Sequence, residues 1–232
     1  MDREHYLLGC LERRGLLAMR PSAKGFSLVE LVVVIAIIAI LLAVGASGFT
    51  NWIGNMRVRS AAEAIQAGLQ LARTEAVRRN DLIRFQLTSS TGNDCTLSTT
   101  STNWVVSYDN PANACGGAFV NEAFPATDAA NNPAPRILQM RPATEGSADI
   151  VVAAGQSTFT FNGLGRHVFP TGINPVDVNI NVSNPNVGPC EHESTTGNIR
   201  IRCLRVQVTP GGQVRMCDPK FAASDKDPQG CF

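Results

Sequence analysis

One uninterrupted apolar block near the N-terminus dominates the pattern of hydrophobic and polar positions. Leu31 to Val44 reads LVVVIAIIAILLAV and contains no polar or charged side chain. A helix rises 1.5 Å per residue, so about 20 apolar residues cross the hydrocarbon layer of a bilayer. A core helix of a small domain would carry a polar face, whereas this segment is apolar on all sides. The pattern therefore predicts that residues 26–50 form the transmembrane half of a helix.

Beyond the apolar block the helical pattern continues and becomes amphipathic. From Arg57 to Asn80, small and apolar residues recur at helical spacing on one face, while charged residues occupy most other positions. The apolar stripe consists of Ala62, Ile65, Leu69, Ala72 and Ala76. Arg78 and Arg79 suit the negative end of the helix dipole. The sequence predicts one helix from about Phe26 to Asn80, whose second half, residues 51–80, packs on a globular head.

After Asn80 the pattern changes to short strands separated by turns. Val176–Val182 alternates between polar and apolar residues, as half-buried antiparallel strands do. The predicted strands are Leu82–Leu87, Trp104–Tyr108, Arg136–Met140, Asp149–Ala153, Ser157–Phe161, Val176–Val182, Ile199–Val208 and Gln213–Cys217. The apolar parity changes within Ile199–Val208, which predicts a β-bulge near Cys203. The predicted fold class is α+β, with a long N-terminal spine helix packed on an antiparallel β-sheet head formed by residues 81–232.

Basic residues in front of the apolar block orient the chain. Arg13, Arg14, Arg20 and Lys24 precede it, so the positive-inside rule keeps the N-terminus cytoplasmic and exports the residues beyond about 50. The whole chain has a net charge of +1, which gives no overall field toward a charged partner. With 44% hydrophobic residues, the composition excludes a disordered chain, and the single apolar block excludes a multi-span membrane protein.

A carboxylate, Glu30, stands at the start of the apolar block, where its burial in lipid would cost about 3 kcal/mol. The surrounding sequence KGFSLVELVVVIAIIAILLAV, from Lys24 to Val44, resembles the class III signal of type IV pilins and type II secretion pseudopilins. The resemblance implies that a prepilin peptidase cleaves between Gly25 and Phe26 and that Phe26 becomes N-methylated. It also implies that Glu30 neutralises the N-terminal amine of a neighbouring subunit, because a carboxylate in an apolar filament core requires a cation.

The same resemblance implies a location and a set of partners. Residues 1–25 would be the prepilin leader, and a start at Met19 would give a more compact one. The chain would span the bacterial inner membrane once, with a cytoplasmic N-terminus and a periplasmic head, before it enters a pilus at the cell surface. Its partners would be other pilin and minor pilin subunits, contacted through the N-terminal helix, the prepilin peptidase and the inner-membrane assembly platform.

Three segments of the mature chain narrow the resemblance to a subfamily. QLARTEAVRRN at the end of the helix, FTFNGLGR at a strand and turn, and VTPGGQVRMCDP at the closing hairpin are similar to the GspH/FimT-type minor pilins and pseudopilins. Some members of that family prime or cap a type IV pilus, and others serve type II secretion. A few competence pilins bind DNA through a C-terminal turn with a Gly-Arg-x-Arg pattern. Here Gln213 replaces the first of those arginines.

These features support three hypotheses of function. The first is a minor pilin of type IV pilus assembly, located at the pilus tip or in the priming complex. The second is a DNA-binding competence minor pilin, and the third is the type II secretion pseudopilin H. The DNA contact would be made by Arg200, Arg202, Arg205 and Arg215, which otherwise form the solvated face of an edge hairpin.

No enzyme motif and no cofactor site is found in the sequence. The chain contains no G-x-S-x-G, no H-E-x-x-H and no phosphate-binding loop. The two histidines that follow the apolar block, His167 and His192, are expected at the surface. A metal site formed by Cys190, His192 and Cys203 is disfavoured, because the spacing is not that of a zinc site and an exported domain is oxidised.

Six cysteines follow the predicted cleavage site, and an even number in an exported domain predicts disulfide bonds. They are Cys95, Cys115, Cys190, Cys203, Cys217 and Cys231. Six cysteines allow 15 pairings, so the sequence leaves the connectivity open. One candidate set is 95–115, 190–203 and 217–231, and the other joins 203 to 217 and 190 to 231.

Overall fold

The computed structural model describes residues 25–146, 149–192, 201–221 and 227–231. The chain divides into two compact units, Met1–Gly45 and Ala46–Phe232, and each unit is described by itself. A long helix, α1, spans Leu28–Arg79 and contributes residues to both units. Its ends agree with the prediction of a helix from Phe26 to Asn80 to within two residues.

In the first unit, the described residues form the N-terminal part of α1. The large apolar side chains from Leu28 to Leu42 are all exposed, by 45% at Val34 and up to 78% at Leu28. Within this unit the helix therefore presents an exposed apolar surface. Within the described residues, no helix combines the length and the apolar character that a bilayer span requires.

In the second unit, the strands form two antiparallel sheets. The described strands are β1 (Ile83–Thr88), β2 (Asn103–Ser107), β3 (Ile137–Arg141), β4 (Val151–Ala154), β5 (Thr158–Phe161), β6 (His167–Val168), β7 (Val178–Ser183), β8 (Leu204–Val208) and β9 (Val214–Cys217). The first sheet has the order β3-β2-β1-β5-β6, and the second has the order β4-β7-β8-β9. The α+β class is thus confirmed, but the head contains two sheets where one was expected.

The amphipathic half of α1 packs into the main hydrophobic core. The stripe predicted from the sequence is at most 1% exposed at each of its members, Ala62, Ile65, Leu69, Ala72 and Ala76. Gly68 brings the helix close to the first sheet, because a Cβ atom there would lie 2.7 Å from Cε2 of Phe85. Residues of both sheets join the helix in this core.

A second, smaller core lies on the other face of the first sheet. It is formed by Val105, Ile137 and the Cys95–Cys115 disulfide. This cover explains why Gln86 is 1% exposed although it points away from the main core. Its Oε1 atom accepts a hydrogen bond from the Ser107 hydroxyl at 3.1 Å, so the buried amide oxygen has a partner.

The predicted bulge near Cys203 is wrong. Strand β8 begins only at Leu204, and its register with β7 and with β9 is continuous. Ile201 lies before the strand and forms an isolated bridge with Cys190. The apolar parity changes because the chain enters the strand at this point. A register shift does occur elsewhere, between Val106 and Ser107 opposite β3.

Three disulfides join loop residues of the head, and one of them reaches a strand at Cys217. The bonds are Cys95–Cys115, Cys190–Cys203 and Cys217–Cys231, the first of the two sets considered from the sequence. The 190–203 bond holds the approach to β8, and the 217–231 bond returns the C-terminal residues to the end of β9. Among the described residues, no cluster of three potential metal ligands is present.

Candidate functional site

The predicted cleavage and assembly residues lie at the start of α1. Gly25 and Phe26 precede the helix, and both are exposed, Phe26 by 81%. Ser27 caps the helix, because its hydroxyl oxygen accepts a hydrogen bond from the backbone N–H of Glu30 at 3.1 Å. The Ser-x-x-Glu spacing is the sequence signal of a capping box, and it was the available clue to the role of Ser27.

Glu30 occupies the third position of the helix and is exposed. A carboxylate suits the first turn, where the helix dipole is positive. Within the described chain the carboxylate of Glu30 forms no hydrogen bond or ion pair. Its position at the end of an uncovered apolar surface leaves it available to a cation from outside the chain.

The three described arginines of the proposed phosphate-binding cluster, Arg202, Arg205 and Arg215, each have a different partner. Arg200 lies outside the described residues. Arg202 donates from Nε to Asp218, whose side chain is 3% exposed, and its backbone N–H donates to Asn55 Oδ1 of α1 at 2.8 Å. Asp218 directly follows Cys217, the last residue of β9. The geometry thus gives Arg202 a structural role between the helix and the C-terminal hairpin.

Arg205 and Arg215 lie on the outer face of the second sheet. Arg205 donates from Nε to Asn181 Oδ1 at 2.7 Å, and Arg215 donates from Nε to Gln207 Oε1 at 2.8 Å. Gln207 faces Arg215 directly across the β8–β9 ladder. These two guanidiniums are therefore oriented by neutral amides, in contrast to Arg202.

The three segments that suggested the subfamily meet at one end of the head. Gly163 in the first turn lies against Asn80 at the end of α1, and Arg73 of the helix donates from Nε to the Gly165 carbonyl at 3.1 Å. The second turn reaches the same place, because the backbone N–H of His167 donates to the Pro210 carbonyl at 3.2 Å. Contacts among the helix end and both turns explain why these segments occur together.

Gly212 is required for this junction of the two turns. Its φ is +79°, in the left-handed region, and a Cβ atom there would lie 1.8 Å from the carbonyl oxygen of Gly165. That neighbour is backbone, so it has little freedom to move. Only glycine fits both constraints.

A network of charges attaches the loop between β2 and β3 to the end of α1, and no local sequence pattern indicates it. Arg79 is 13% exposed and donates to Glu75 at 2.7 Å, to the Tyr108 hydroxyl at 3.1 Å and to Glu122. Arg136 lies 4.7 Å from the Tyr108 ring centroid and Arg79 lies 5.6 Å from it. The tyrosine thus contacts two guanidiniums, an arrangement that favours an ordered loop.

The pKa shifts of this network follow from its contacts. Partial burial would raise the pKa of Glu75, but hydrogen bonds from Arg78 and Arg79 outweigh it and lower that pKa. Hydrogen bonds from Arg136, at 2.7 and 2.6 Å, lower the pKa of Asp109. Both carboxylates are therefore held in their charged form.

His167 is not a surface residue, contrary to the expectation from the sequence. It is 5% exposed and its ring lies 4.3 Å from that of Phe169, with Phe159 and Phe161 also in contact. Gln156 Nε2 lies 3.1 Å from its Nε2. Desolvation by burial lowers the pKa of His167 from 6.5 to about 4, so the imidazole is neutral at physiological pH.

Comparison with known families agrees with these features. The profile of the family described as type II transport protein GspH matches residues 61–217, more than half of the chain. The chain belongs to the GspH family. A second profile, the prokaryotic N-terminal methylation motif, matches residues 20–46 of this GspH-family chain. The GspH family is one of structural, pilin-like proteins.

The individual relatives match either a short part of this chain or a larger part at low sequence identity. The chain is 40% identical over 67 residues to a type II secretion system protein H of Xanthomonas campestris, which covers 29% of this chain and 40% of that relative. Two crystal forms of the type IV minor pilin FimU of Pseudomonas aeruginosa are 16% identical and cover 75% of this chain, with TM-scores of 0.40 and 0.39. The matches span 99% and 95% of the two FimU chains.

Proposed function

We propose that this GspH-family protein is a minor subunit of a type IV pilus, incorporated through its N-terminal helix at the pilus tip or in the priming complex. The observation that carries the proposal is the start of α1. There an exposed apolar surface of about four turns carries a single carboxylate, Glu30, that has no partner within the described chain. Such a surface is unfavourable in water and requires lipid or other subunits.

Processing precedes assembly in this proposal. A prepilin peptidase removes residues 1–25, and the new N-terminus at Phe26 is methylated. The exposed backbone around Gly25 supports this step, since no heavy atom of the described residues lies within 4 Å of a Cβ position at Gly25. Before assembly, the apolar part of α1 anchors the chain in the inner membrane with the head in the periplasm, where the three disulfides are stable.

In the filament, Glu30 pairs with the N-terminal amine of a neighbouring subunit. We expect Glu30→Ala to reduce the amount of the protein in sheared filaments at least about tenfold, a factor that corresponds to about 1.4 kcal/mol. The variant should still reach the membrane, because a desolvation cost is removed. Immunoblots of filament and membrane fractions measure both quantities.

Glu63→Ala is the matched control for this experiment. Glu63 is an exposed carboxylate of the same helix, paired with Arg59 at 2.8 Å in the second unit. Its loss should leave incorporation unchanged. Normal amounts of Glu30→Ala protein in filaments would contradict the assembly role of Glu30.

The type II secretion pseudopilus is the second candidate, supported by the type II transport family that the chain matches and by its similarity to the Xanthomonas type II secretion protein H. The N-terminal cleavage and methylation are the same in the pilus and in the pseudopilus, so they do not distinguish the two candidates. Deletion of the gene for this protein does. Loss of surface pili with normal secretion of exoproteins supports the pilus. Retained pili with exoproteins trapped in the periplasm supports the pseudopilus.

A further inference from the structure

Three large apolar side chains lie exposed on α1 just beyond the apolar block. Phe49, Trp52 and Met56 are each at least 50% exposed, and the rings of Phe49 and Trp52 stack with their centroids 5.9 Å apart. We name these three residues the aromatic patch. They recur at i, i+3 and i+7, so they share one face of the helix. The buried residues Gly54 and Val58 lie on the other face, toward the head.

The aromatic patch continues onto the second sheet. Trp52 and Met56 line a groove of about 620 Å³ together with Leu204 of β8 and Met216 of β9. Leu204 and Met216 are partly buried and pack on the main core. The exposed apolar surface is therefore wider than the helix, and contact with water is unfavourable for it.

The same face of α1 becomes polar within one turn of Met56. Arg59, Glu63 and Gln70 continue the stripe, and all three are exposed. Arg59 pairs with Glu63 at 2.8 Å. A face that is exposed throughout, but changes from apolar to charged at one level, indicates a boundary between an apolar medium and water.

The position of the aromatic patch in the chain suits the surface of a bilayer. About 20 helical residues cross the hydrocarbon layer, and Phe49 follows Leu28, the first residue of α1, by 21 positions. Tryptophan is enriched at the membrane surface because its ring combines an apolar body with a polar N–H. Trp52 lies one helical turn beyond Phe49.

The charges beside the groove are already paired. Arg59 has Glu63 as its partner, and Arg202 donates to Asp218. The two guanidiniums that line the groove are thus neutralised within the chain. Attraction of the aromatic patch to lipid is therefore apolar and does not require an anionic headgroup.

We propose that the aromatic patch contacts the lipid surface before assembly. Phe49, Trp52 and Met56 insert among the headgroups of the periplasmic leaflet, whereas Arg59 and Glu63 lie in water. This inference rests on the proposed function, in which the apolar part of α1 anchors the chain in the inner membrane.

The two tryptophans of the chain make this contact measurable, since Trp52 is exposed and Trp104 is 3% exposed in the core. The full-length protein is reconstituted into phosphatidylcholine vesicles with and without bromine on the upper acyl chain, where bromine quenches tryptophan on contact. Brominated lipid should reduce the emission of Trp52, obtained as wild type minus Trp52→Phe, at least about twofold. The emission of the Trp52→Phe variant, which retains the buried Trp104, should change little.

A tryptophan moved along the same face is the matched control. In the Trp52→Phe background, Glu63→Trp places the ring on the same stripe but beyond the change to polar residues. Brominated lipid should not quench this tryptophan. Equal quenching at positions 52 and 63 would overturn the proposal, because the lipid surface would then not lie between them.

Flotation of the vesicles separates this proposal from the membrane anchor. Protein that floats with the vesicles while Trp52 is not quenched would overturn the lipid contact and leave the anchor in place. Protein that does not float would contradict the anchor and the contact together. An unquenched Trp52, combined with loss of a Trp52→Ala variant from sheared filaments, would assign the aromatic patch to a neighbouring subunit and also overturn the proposal.

Discussion

At the scale of single residues, His167 shows how the aromatic core controls an ionisable group. Phe159, Phe161 and Phe169 surround the ring, and they offer no acceptor to a charged imidazolium. Protonation of the folded state therefore requires a pH near 4, whereas the unfolded chain takes up the proton near 6.5. The folded protein binds fewer protons than the unfolded chain between these two values.

We predict that the free energy of unfolding decreases as pH falls from about 6.5 to about 4, by up to about 3 kcal/mol from this residue alone. Urea unfolding of the full-length protein, in low-salt buffer at several pH values, measures this free energy. His167→Phe keeps an aromatic ring and removes the titration, so its stability should change much less over this interval. Asp109, whose pKa is lowered by Arg136, loses its contribution to the free energy of unfolding only at pH values below this interval.

An undiminished loss of stability in His167→Phe between pH 6.5 and 4 would contradict this account of His167. The burial of this histidine was not predictable from the sequence. It follows Gly165-Arg166, a turn signal, and only the fold shows that β6 pairs with β5 and carries the ring into the core.

Two neighbouring glycines allow a matched test of the turn junction. Gly212→Ala should lower the free energy of unfolding by at least about 2 kcal/mol, because of its positive φ and its contact with the Gly165 carbonyl. Gly211→Ala should change it by less than about 0.5 kcal/mol, since the nearest heavy atom to its Cβ position is Thr209 Oγ1 at 3.8 Å. Thermal melts of both variants measure these losses of stability. Equal losses would contradict the role assigned to Gly212 in the junction of the two turns.

At the scale of elements, the helix was predictable and several strand environments were not. The stripe from Ala62 to Ala76 repeats at 3.6 residues, which determines both the helix and its buried face. Strand β1 is buried on both faces because the Cys95–Cys115 loop covers it, a contact between distant residues that no local pattern reveals. The bulge expected near Cys203 failed for the same reason, since strand pairing sets where β8 begins.

The end of α1 provides a comparison between two adjacent arginines. Arg79 is 13% exposed and bonded to Glu75, Tyr108 and Glu122, whereas Arg78 is 57% exposed and bonded mainly to Glu75. We predict that Arg79→Gln lowers the free energy of unfolding by about 2–3 kcal/mol and that Arg78→Gln lowers it much less, because solvent screens the exposed pair. Denaturant titrations measure both, and equal losses would contradict the assignment of the network to Arg79.

At the scale of the whole molecule, the motif at the start of the chain carries most of the functional information. Gly25, Phe26 and Glu30 are local in sequence, so their chemistry could be proposed before any fold was known. The division of the head into two sheets and the different partners of Arg202, Arg205 and Arg215 depend on long-range pairing. No local pattern reveals the pair of Arg202 and Asp218, because the two residues lie 16 positions apart.

The central claim is that the chain is processed as a pilin and enters a filament. Its most direct test is mass spectrometry of the N-terminal peptide of the protein recovered from sheared surface filaments. We predict a peptide that begins with N-methylated Phe26 and disappears in a Gly25→Val variant, because a bulky side chain at that position blocks the peptidase. A different N-terminus, or an unmethylated one in filament-bound protein, would contradict the account.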